Sequence, residues 1–164
     1  MKLSILIISL FVATISFDID EIRALYKQTD GSKENTILLY NKLQSVTVQD
    51  GNVLLAYKGA SIAMKGRFEK GAKQKTSIFK DGITMVETAL KQEPKNMEIR
   101  FIRLSIQQNS PKLLKYKKNI DEDKNFILSN YEKIKSNKLR NFLKDYILNS
   151  DNFTDDEKRV TSQP

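Results

Sequence analysis

The sequence contains no cysteine and no histidine among its 164 residues. The lack of cysteine excludes disulfide bonds, thiolate nucleophiles and cysteine-ligated zinc or iron–sulfur sites, and the lack of histidine removes imidazole acid–base catalysis and the commonest metal ligand. Most familiar hydrolase sites cannot be assembled from what remains. We therefore expect no metal, no cofactor and no enzymatic activity, whereas a deep pocket with a buried lysine or paired carboxylates would favour an enzyme.

Proline and glycine are also scarce, at three and six residues, whereas hydrophobic residues make up 40% of the chain and charged residues 29%. This composition is too hydrophobic for a disordered protein and is sufficient for one core. Apolar residues recur at spacings of three and four, and the alternation typical of strands is almost absent. We predict a single all-α domain.

The N-terminal residues have the order of an export signal. One lysine is followed by the uncharged, mostly apolar residues 3–17, and Asp18 begins a polar chain. The apolar run is shorter than the roughly 20 residues of a membrane span, although a buried N-terminal element and a membrane anchor are alternatives. We expect a signal peptide at residues 1–17, cleaved near Ser16 or Phe17. The protein would then be periplasmic or secreted, with no transmembrane helix in its mature part.

Helical periodicity and turn residues divide residues 18–148 into seven predicted helices. Ser32 is a suitable cap for the second helix, and Pro94 ends the fourth. The predicted helices are 20–28, 32–46, 53–64, 77–92, 97–108, 121–134 and 139–148. A basic loop over residues 67–76 separates the third helix from the fourth, and residues 149–164 are expected to be a flexible polar tail.

Small and bulky residues in the third and fourth helices follow the spacing of a repeat hairpin. In order they are Leu55, Gly59, Ile62, Gly66, Gly82, Val86, Ala89, Leu90 and Pro94. The small residues let helix axes approach, and the proline directs the chain into the next hairpin. This segment resembles the tetratricopeptide-repeat family. The resemblance implies stacked antiparallel helical hairpins, about three pairs plus a terminal helix.

Three segments, two of which overlap this hairpin, are similar to a group of exported proteins of Bacteroidetes-type bacteria that have no established activity. They are residues 53–68, 79–116 and 119–128. This resemblance supports the exported compartment and the helical architecture, and it implies no reaction or ligand.

Three short motifs match known functional patterns only in part. Residues 77–80 have the S-x-x-K spacing of penicillin-recognising enzymes, residues 66–73 are close to a phosphate-binding loop, and residues 121–123 are acidic like a calcium loop. The first lacks the K-T-G motif and a sheet, the second lacks a preceding strand, and the third lacks the calcium loop's glycine and distal glutamate. A helix N-terminus accounts for the acidic triplet.

Positive charge is concentrated in one region of the chain. Residues 58–118 contain fifteen Lys or Arg and five Asp or Glu, whereas the whole chain has a net charge of +8. Cations form stripes on the third and fifth helices, and the first helices of stacked hairpins line the concave surface. The predicted partner-binding residues are Lys58, Lys65, Arg67, Arg100 and Arg103. Alternatively, these cations only solvate helix faces.

These features predict a non-catalytic interaction module that binds a protein or peptide segment in a concave, partly basic groove. The alternative function is a binder of anionic envelope polymer or lipid, which would use the basic loop 67–75 and a helix face and would weaken steeply with salt. Export and the absence of aromatic strand motifs argue against nucleic acid as the partner. The chain also lacks a long amphipathic helix of the kind that lies on membranes.

Overall fold

The computed structural model describes residues 16–161, so nearly all of the predicted signal peptide lies outside the described residues. The helices in this range are α1 (Ile19–Lys27), α2 (Lys33–Lys42), α3 (Asn52–Lys65), α4 (Ala72–Gln92), α5 (Met97–Asn109), α6 (Ile120–Asn130), α7 (Asn137–Asn149) and α8 (Asp155–Val160). Single 3₁₀ turns lie at Val48–Asp50, Gly66–Phe68, Lys112–Leu114 and Tyr131–Lys133. The described part of the chain contains no strand, which confirms the all-α prediction.

Local sequence signals set several helix ends. The Ser32 hydroxyl accepts a hydrogen bond from the Asn35 amide (3.2 Å) at the start of α2, as the sequence predicts. Asn96 caps α5 in the same manner, because its Oδ1 accepts from the Glu98 amide (3.0 Å). Pro94 stands between α4 and α5, where a proline cannot continue the helix.

The backbones of α3 and α4 meet at two glycines. A Cβ atom added to Gly59 would lie 2.5 Å from the carbonyl oxygen of Gly82, and one added to Gly82 would lie 2.5 Å from the amide nitrogen of Ala63. Neither position has room for a methyl group, so both helices require glycine here. This close approach is the one that the sequence predicts from its small residues, and it places the end of α3 beside the start of α4.

The central helix is α5, which contacts α3, α4 and α6. Ten of its thirteen residues are buried, so its polar side chains must find partners inside the protein. Glu98 accepts from Arg23 Nε (2.8 Å) and from the Tyr57 hydroxyl (2.8 Å). Arg103 binds Asp123 of α6. The apolar residues of α5 pack into a core shared by the other helices.

Helix ends differ most from the prediction at α2, α4 and α6, and α6 ends at Asn130 before a 3₁₀ turn rather than at residue 134. α4 begins at Ala72 rather than at residue 77, because its first turn is exposed and needs no apolar residue to mark it. Gly71, at φ +83°, admits the turn that precedes it. α2 ends at Lys42 rather than at residue 46, yet Val46 is buried after the turn. In the sequence, an apolar residue that is buried just beyond the end of a helix cannot be distinguished from an apolar residue in one further helical turn.

Residues 149–161 differ most from the prediction of a polar tail. They form α8, whose start has a reciprocal cap: the Glu157 amide donates to Thr154 Oγ1 (3.3 Å) and the Thr154 amide donates to Glu157 Oε2 (2.8 Å). Phe153 is only 4% exposed and its ring contacts Tyr146. One buried aromatic residue thus holds a segment whose composition is otherwise polar.

None of the helices in residues 16–161 is both long enough and apolar enough to cross a membrane.

Candidate functional site

Arg100 and Arg103, which the sequence predicts in a groove, lie where α6 packs on α5. Arg103 Nε and Nη2 donate to the two carboxylate oxygens of Asp123 (2.6 and 2.7 Å), and Arg100 Nη1 donates to Asp123 Oδ1 (2.8 Å). Arg100 also lies over the Phe126 ring, 4.2 Å from its centroid. Asp123 is fully buried and Arg103 is 5% exposed. Both arginines therefore hold α6 onto α5.

The predicted lysines of α3 also have partners within the fold. Lys58 Nζ donates to the carbonyl oxygens of Gln44 (2.8 Å) and Val46 (2.6 Å), which fixes the turn after α2. Lys65 lies 3.3 Å from Glu69 and over the Tyr40 ring. These residues contact the α2 side of α3. The structure does not bring the four cations of α3 and α5 into one open groove.

Arg67 is the one predicted residue that lines a large cavity. This cavity has a volume of about 680 Å³ and is bounded by residues of α1, α3, α5 and α7, the first half of α4, and the segments that follow α1, α3, α5 and α7. Volumes of about 300–1,000 Å³ are typical of ligand pockets. We refer to it as the aromatic cavity, because five of its lining residues are aromatic: Tyr26, Phe79, Phe101, Phe142 and Tyr146.

Phe101 of α5 joins most of these rings. Its centroid lies 6.4 Å from Tyr26, 5.1 Å from Phe142 and 4.8 Å from Tyr146, with interplanar angles of 73°, 78° and 84°. Edge-to-face pairs of this kind stabilise each other beyond their buried area. These four rings, which come from α1, α5 and α7, form one packed aromatic surface. We call this surface the floor of the cavity.

The two tyrosine hydroxyls of the floor are bonded inside the protein. The Ser105 hydroxyl donates to the Ile102 carbonyl, so Tyr26 donates to Ser105 Oγ (2.6 Å). Tyr146 donates to Gln108 Oε1 (2.6 Å). Burial raises the pKa of Tyr26 to about 12 and raises the pKa of Tyr146 well above its ordinary value. Both phenols stay neutral near pH 7, and neither supplies a base.

Charged residues of both signs surround the cavity. Arg67 comes from the α3–α4 connection and Lys75 from the first turn of α4, and Lys75 Nζ donates to the Arg67 carbonyl (3.0 Å). Asp145 and Asp151 come from α7 and the segment after it. Lys27 of α1 lies 2.7 Å from Asp145, and both are half exposed. An exposed pair of this kind contributes about 0–1 kcal/mol, so it can open at little cost.

Other chemistry has less support in the described residues. No group of three or more Asp or Glu within residues 16–161 is arranged to hold a metal ion. A smaller cavity of about 330 Å³ lies beside Phe17, Arg23 and Glu98, where Arg23 Nη2 and Glu98 Oε2 are 2.6 Å apart. Its charged groups are occupied by each other. The aromatic cavity is the stronger candidate for a binding site.

The cavity aromatics also belong to the hydrophobic core, because Tyr26, Phe79, Phe101 and Phe142 are at most 8% exposed. One signal was available: aromatic residues recur on α1, α3, α5 and α7, at Tyr26, Tyr57, Phe101, Phe142 and Tyr146. If the first helices of all hairpins line one side of the stack, these rings are expected on that side. Tyr57 is the exception, because it does not line the cavity. Their distance from one another across the cavity could not be read from helical period.

No protein-family model matches the chain, and no curated protein and no solved structure is similar to it. The resemblance to tetratricopeptide repeats therefore stays an interpretation of the sequence.

Proposed function

We propose that this chain is an exported, non-catalytic interaction module that binds an extended protein or peptide segment in the aromatic cavity. The observation that carries the proposal is a cavity of about 680 Å³ with an aromatic floor and charged residues around it. Aromatic side chains provide large contact areas with little conformational entropy to lose, so they are common at recognition sites. The N-terminal apolar run supports export.

The arrangement of helices supports a hairpin stack as the scaffold. Each helix from α1 to α6 contacts the next one along the chain, most extensively α3 with α4, and α3 also contacts α5. The odd-numbered helices α1, α3, α5 and α7 all contribute to the cavity wall. This is the position that first helices take in a stack of hairpins. In this proposal α7 is the terminal helix that follows the three pairs.

The charges around the cavity define the partner's chemistry. Arg67 and Lys75 on one side would bind an acidic residue, and Asp145 and Asp151 would bind a basic one. A bulky apolar side chain between the two would enter the cavity. We therefore propose a segment with an acidic residue, one or two bulky apolar residues and a basic residue in that order or its reverse.

A non-catalytic role fits the side chains that surround the cavity. The phenols of Tyr26 and Tyr146 are protonated and hydrogen-bonded within the fold. The sequence has no cysteine or histidine to act as a nucleophile or a base near pH 7. The remaining polar groups serve binding.

The test is to select peptides from a random phage-displayed library on the immobilised chain and measure their affinities by calorimetry. We expect the selected peptides to share a bulky apolar residue flanked by charges. Asn109→Trp, at an exposed position of the cavity wall, should fill the cavity and weaken binding at least tenfold. Asn125→Trp, at an exposed position on α6 outside the cavity, is the matched control.

Equal affinity of the selected peptides for wild type and Asn109→Trp would contradict the proposal, as would selected peptides without a shared apolar residue. Replacing both Arg67 and Lys75 with Glu separates the roles of charge and shape. This double variant should lose peptides whose acidic residue meets the two cations and should keep neutral apolar peptides.

A further inference from the structure

We infer that two neighbouring basic segments form a docking surface for an anionic lipid bilayer, with Leu113 as the inserted side chain. The segments are residues 67–75 and 111–118, which we call the basic patch. Arg67 and Lys75 belong both to the basic patch and to the wall of the aromatic cavity. The inference does not depend on peptide binding, because its test rests on Lys112, Leu113 and Lys115, which lie outside the cavity.

The basic patch carries nearly all of the chain's net charge. Its two segments contain Arg67, Lys70, Lys73, Lys75, Lys112, Lys115, Lys117 and Lys118 against one acid, Glu69. The rest of the chain has 20 Lys or Arg and 19 Asp or Glu, out of totals of 28 and 20. Glu69 itself pairs with Lys65. The excess charge therefore lies in the basic patch and not on the arginines of α5.

The second segment packs against α4, the helix whose first turn contains Lys73 and Lys75 of the first segment. Phe79 of α4 and Tyr116 of the second segment are in edge-to-face contact, with centroids 5.7 Å apart. The Tyr116 hydroxyl donates to Glu87 Oε1 (2.6 Å), which fixes the second segment along α4. Leu114 borders the same cavity as Arg67 and Lys75. Within residues 16–161, the structure gives no ion pair to any of the eight patch cations.

Leu113 distinguishes a bilayer from an anionic polymer as the partner. It is 85% exposed, more than any other large hydrophobic residue of the described part. It stands in a single 3₁₀ turn between Lys112 and Leu114, and Lys115 follows in the left-handed conformation (φ 52°). A polysaccharide would need only the lysines. A leucine held out between lysines fits an apolar side chain inserted among acyl chains, while the lysines meet anionic headgroups.

The absence of cysteine from the sequence makes a site-specific test possible. Leu113→Cys in the full chain would carry a single environment-sensitive dye. The probe membranes are vesicles of phosphatidylglycerol and phosphatidylcholine (1:1) and vesicles of phosphatidylcholine alone. Leu38→Cys, at a 53% exposed position on α2, is the matched control. The N-terminal residues are common to both variants, so they cannot produce a difference between the two dyes.

We expect a blue-shifted, severalfold brighter emission from the dye at 113 with anionic vesicles and no such change at 38. Lys112→Gln combined with Lys115→Asn should weaken the apparent affinity about 25-fold, from a contribution of about fivefold per lysine. Asparagine tolerates the left-handed conformation at 115. The matched charge control is Lys91→Gln combined with Lys95→Gln, at exposed positions near the end of α4. It should change the affinity less than threefold.

Equal responses at 113 and 38, or equal responses to the two kinds of vesicle, would overturn the inference. An unchanged dye at 113 on vesicles that the chain binds would also overturn it. If the dye at 113 does not change, retention of the protein on dextran sulfate would be measured next. Retention that depends on Lys112 and Lys115 would identify an anionic polymer as the partner. Circular dichroism of each variant excludes loss of folding as the cause.

Discussion

At the scale of single residues, the buried ion pair between Arg103 and Asp123 has the largest expected effect on stability. Burial disfavours the charged form of Arg103, but hydrogen bonding to Asp123 and the nearby carboxylates raise its pKa above the ordinary value. Arg103 thus stays charged inside the protein. Removing Asp123 leaves the buried Arg103 with only the more distant carboxylates of Glu87 and Glu122 (3.5 Å each), whereas removing both partners leaves no such buried charge.

Asp123→Ala should lower the free energy of unfolding by about 3–5 kcal/mol, because Arg103 would remain buried without its carboxylate. Arg103→Met combined with Asp123→Leu should recover most of this loss. The measurement is urea unfolding followed by circular dichroism. Asp121→Ala, at an exposed position in the same helical turn, is the control and should cost less than about 1 kcal/mol. A loss for Asp123→Ala no larger than that of the control would contradict the assignment.

The same pair explains why the binding residues were predicted in the wrong surroundings. The spacing of Arg100 and Arg103 on α5 gives their helix face correctly, but the sequence does not reveal that α6 covers that face. An acidic residue in the first turn of a helix gives the same sequence pattern whether it only interacts with the helix dipole or also binds a buried arginine. Asp123 binds the buried Arg103.

At the scale of helices, the contact between α3 and α4 depends on Gly59 and Gly82. Gly82→Ala should lower the free energy of unfolding by about 2 kcal/mol, because the strain of overpacking exceeds the gain in helix propensity. Ser77→Ala, at an exposed position of α4, gains the same kind of propensity without a clash and should be neutral or stabilising. Thermal unfolding of both variants is the measurement. A stabilised Gly82→Ala protein would show that the two helices are not in close contact.

Helix periods and caps were sufficient to predict α1 to α7 in order, because each has an apolar stripe or a recognisable end. They were insufficient for α8, which has six residues and whose apolar anchor, Phe153, precedes it. The cap formed by Thr154 and Glu157 was the available signal. The sequence predicts a concave surface but not the cavity itself, because the rings of its floor come from helices that are far apart in the sequence.

Phe153→Ala tests whether α8 is a packed element. We expect a loss of about 3 kcal/mol in the free energy of unfolding, because a buried ring that contacts Tyr146 is removed. Asp151→Ala, an exposed neighbour, should change the free energy by less than about 0.5 kcal/mol. Urea unfolding of both variants is the measurement, and equal stabilities would assign the segment to a tail.

At the scale of the whole molecule, buried tyrosines set an upper pH limit for stability. Burial raises the pKa of Tyr26 to about 12 and raises the pKa values of Tyr57, Tyr116 and Tyr146 further above 10. A group with a raised pKa in the folded state stabilises fully below its unfolded pKa. That stability is lost as the pH rises from about 10 toward the folded values.

Above pH 10, each of these four tyrosines lowers the free energy of unfolding by up to about 1.4 kcal/mol per pH unit. Between pH 11 and 12 their combined effect approaches the typical total stability of a protein, which is about 5–15 kcal/mol. We expect tyrosine ionisation, followed by absorbance at 295 nm, to coincide with loss of helical circular dichroism in that range. Ionisation of all six tyrosines near pH 10 in a chain that stays folded would contradict the buried arrangement.

Three methionine side chains report on whether a peptide occupies the aromatic cavity. Met64 lines the cavity, whereas Met85 and Met97 lie outside it. With ¹³C-methyl-labelled methionine, a selected peptide should shift the NMR signal of Met64, through ring currents and contact, and leave those of Met85 and Met97 in place. A peptide that binds with an unmoved Met64 signal, or that shifts Met85 and Met97 instead, would contradict binding in the aromatic cavity.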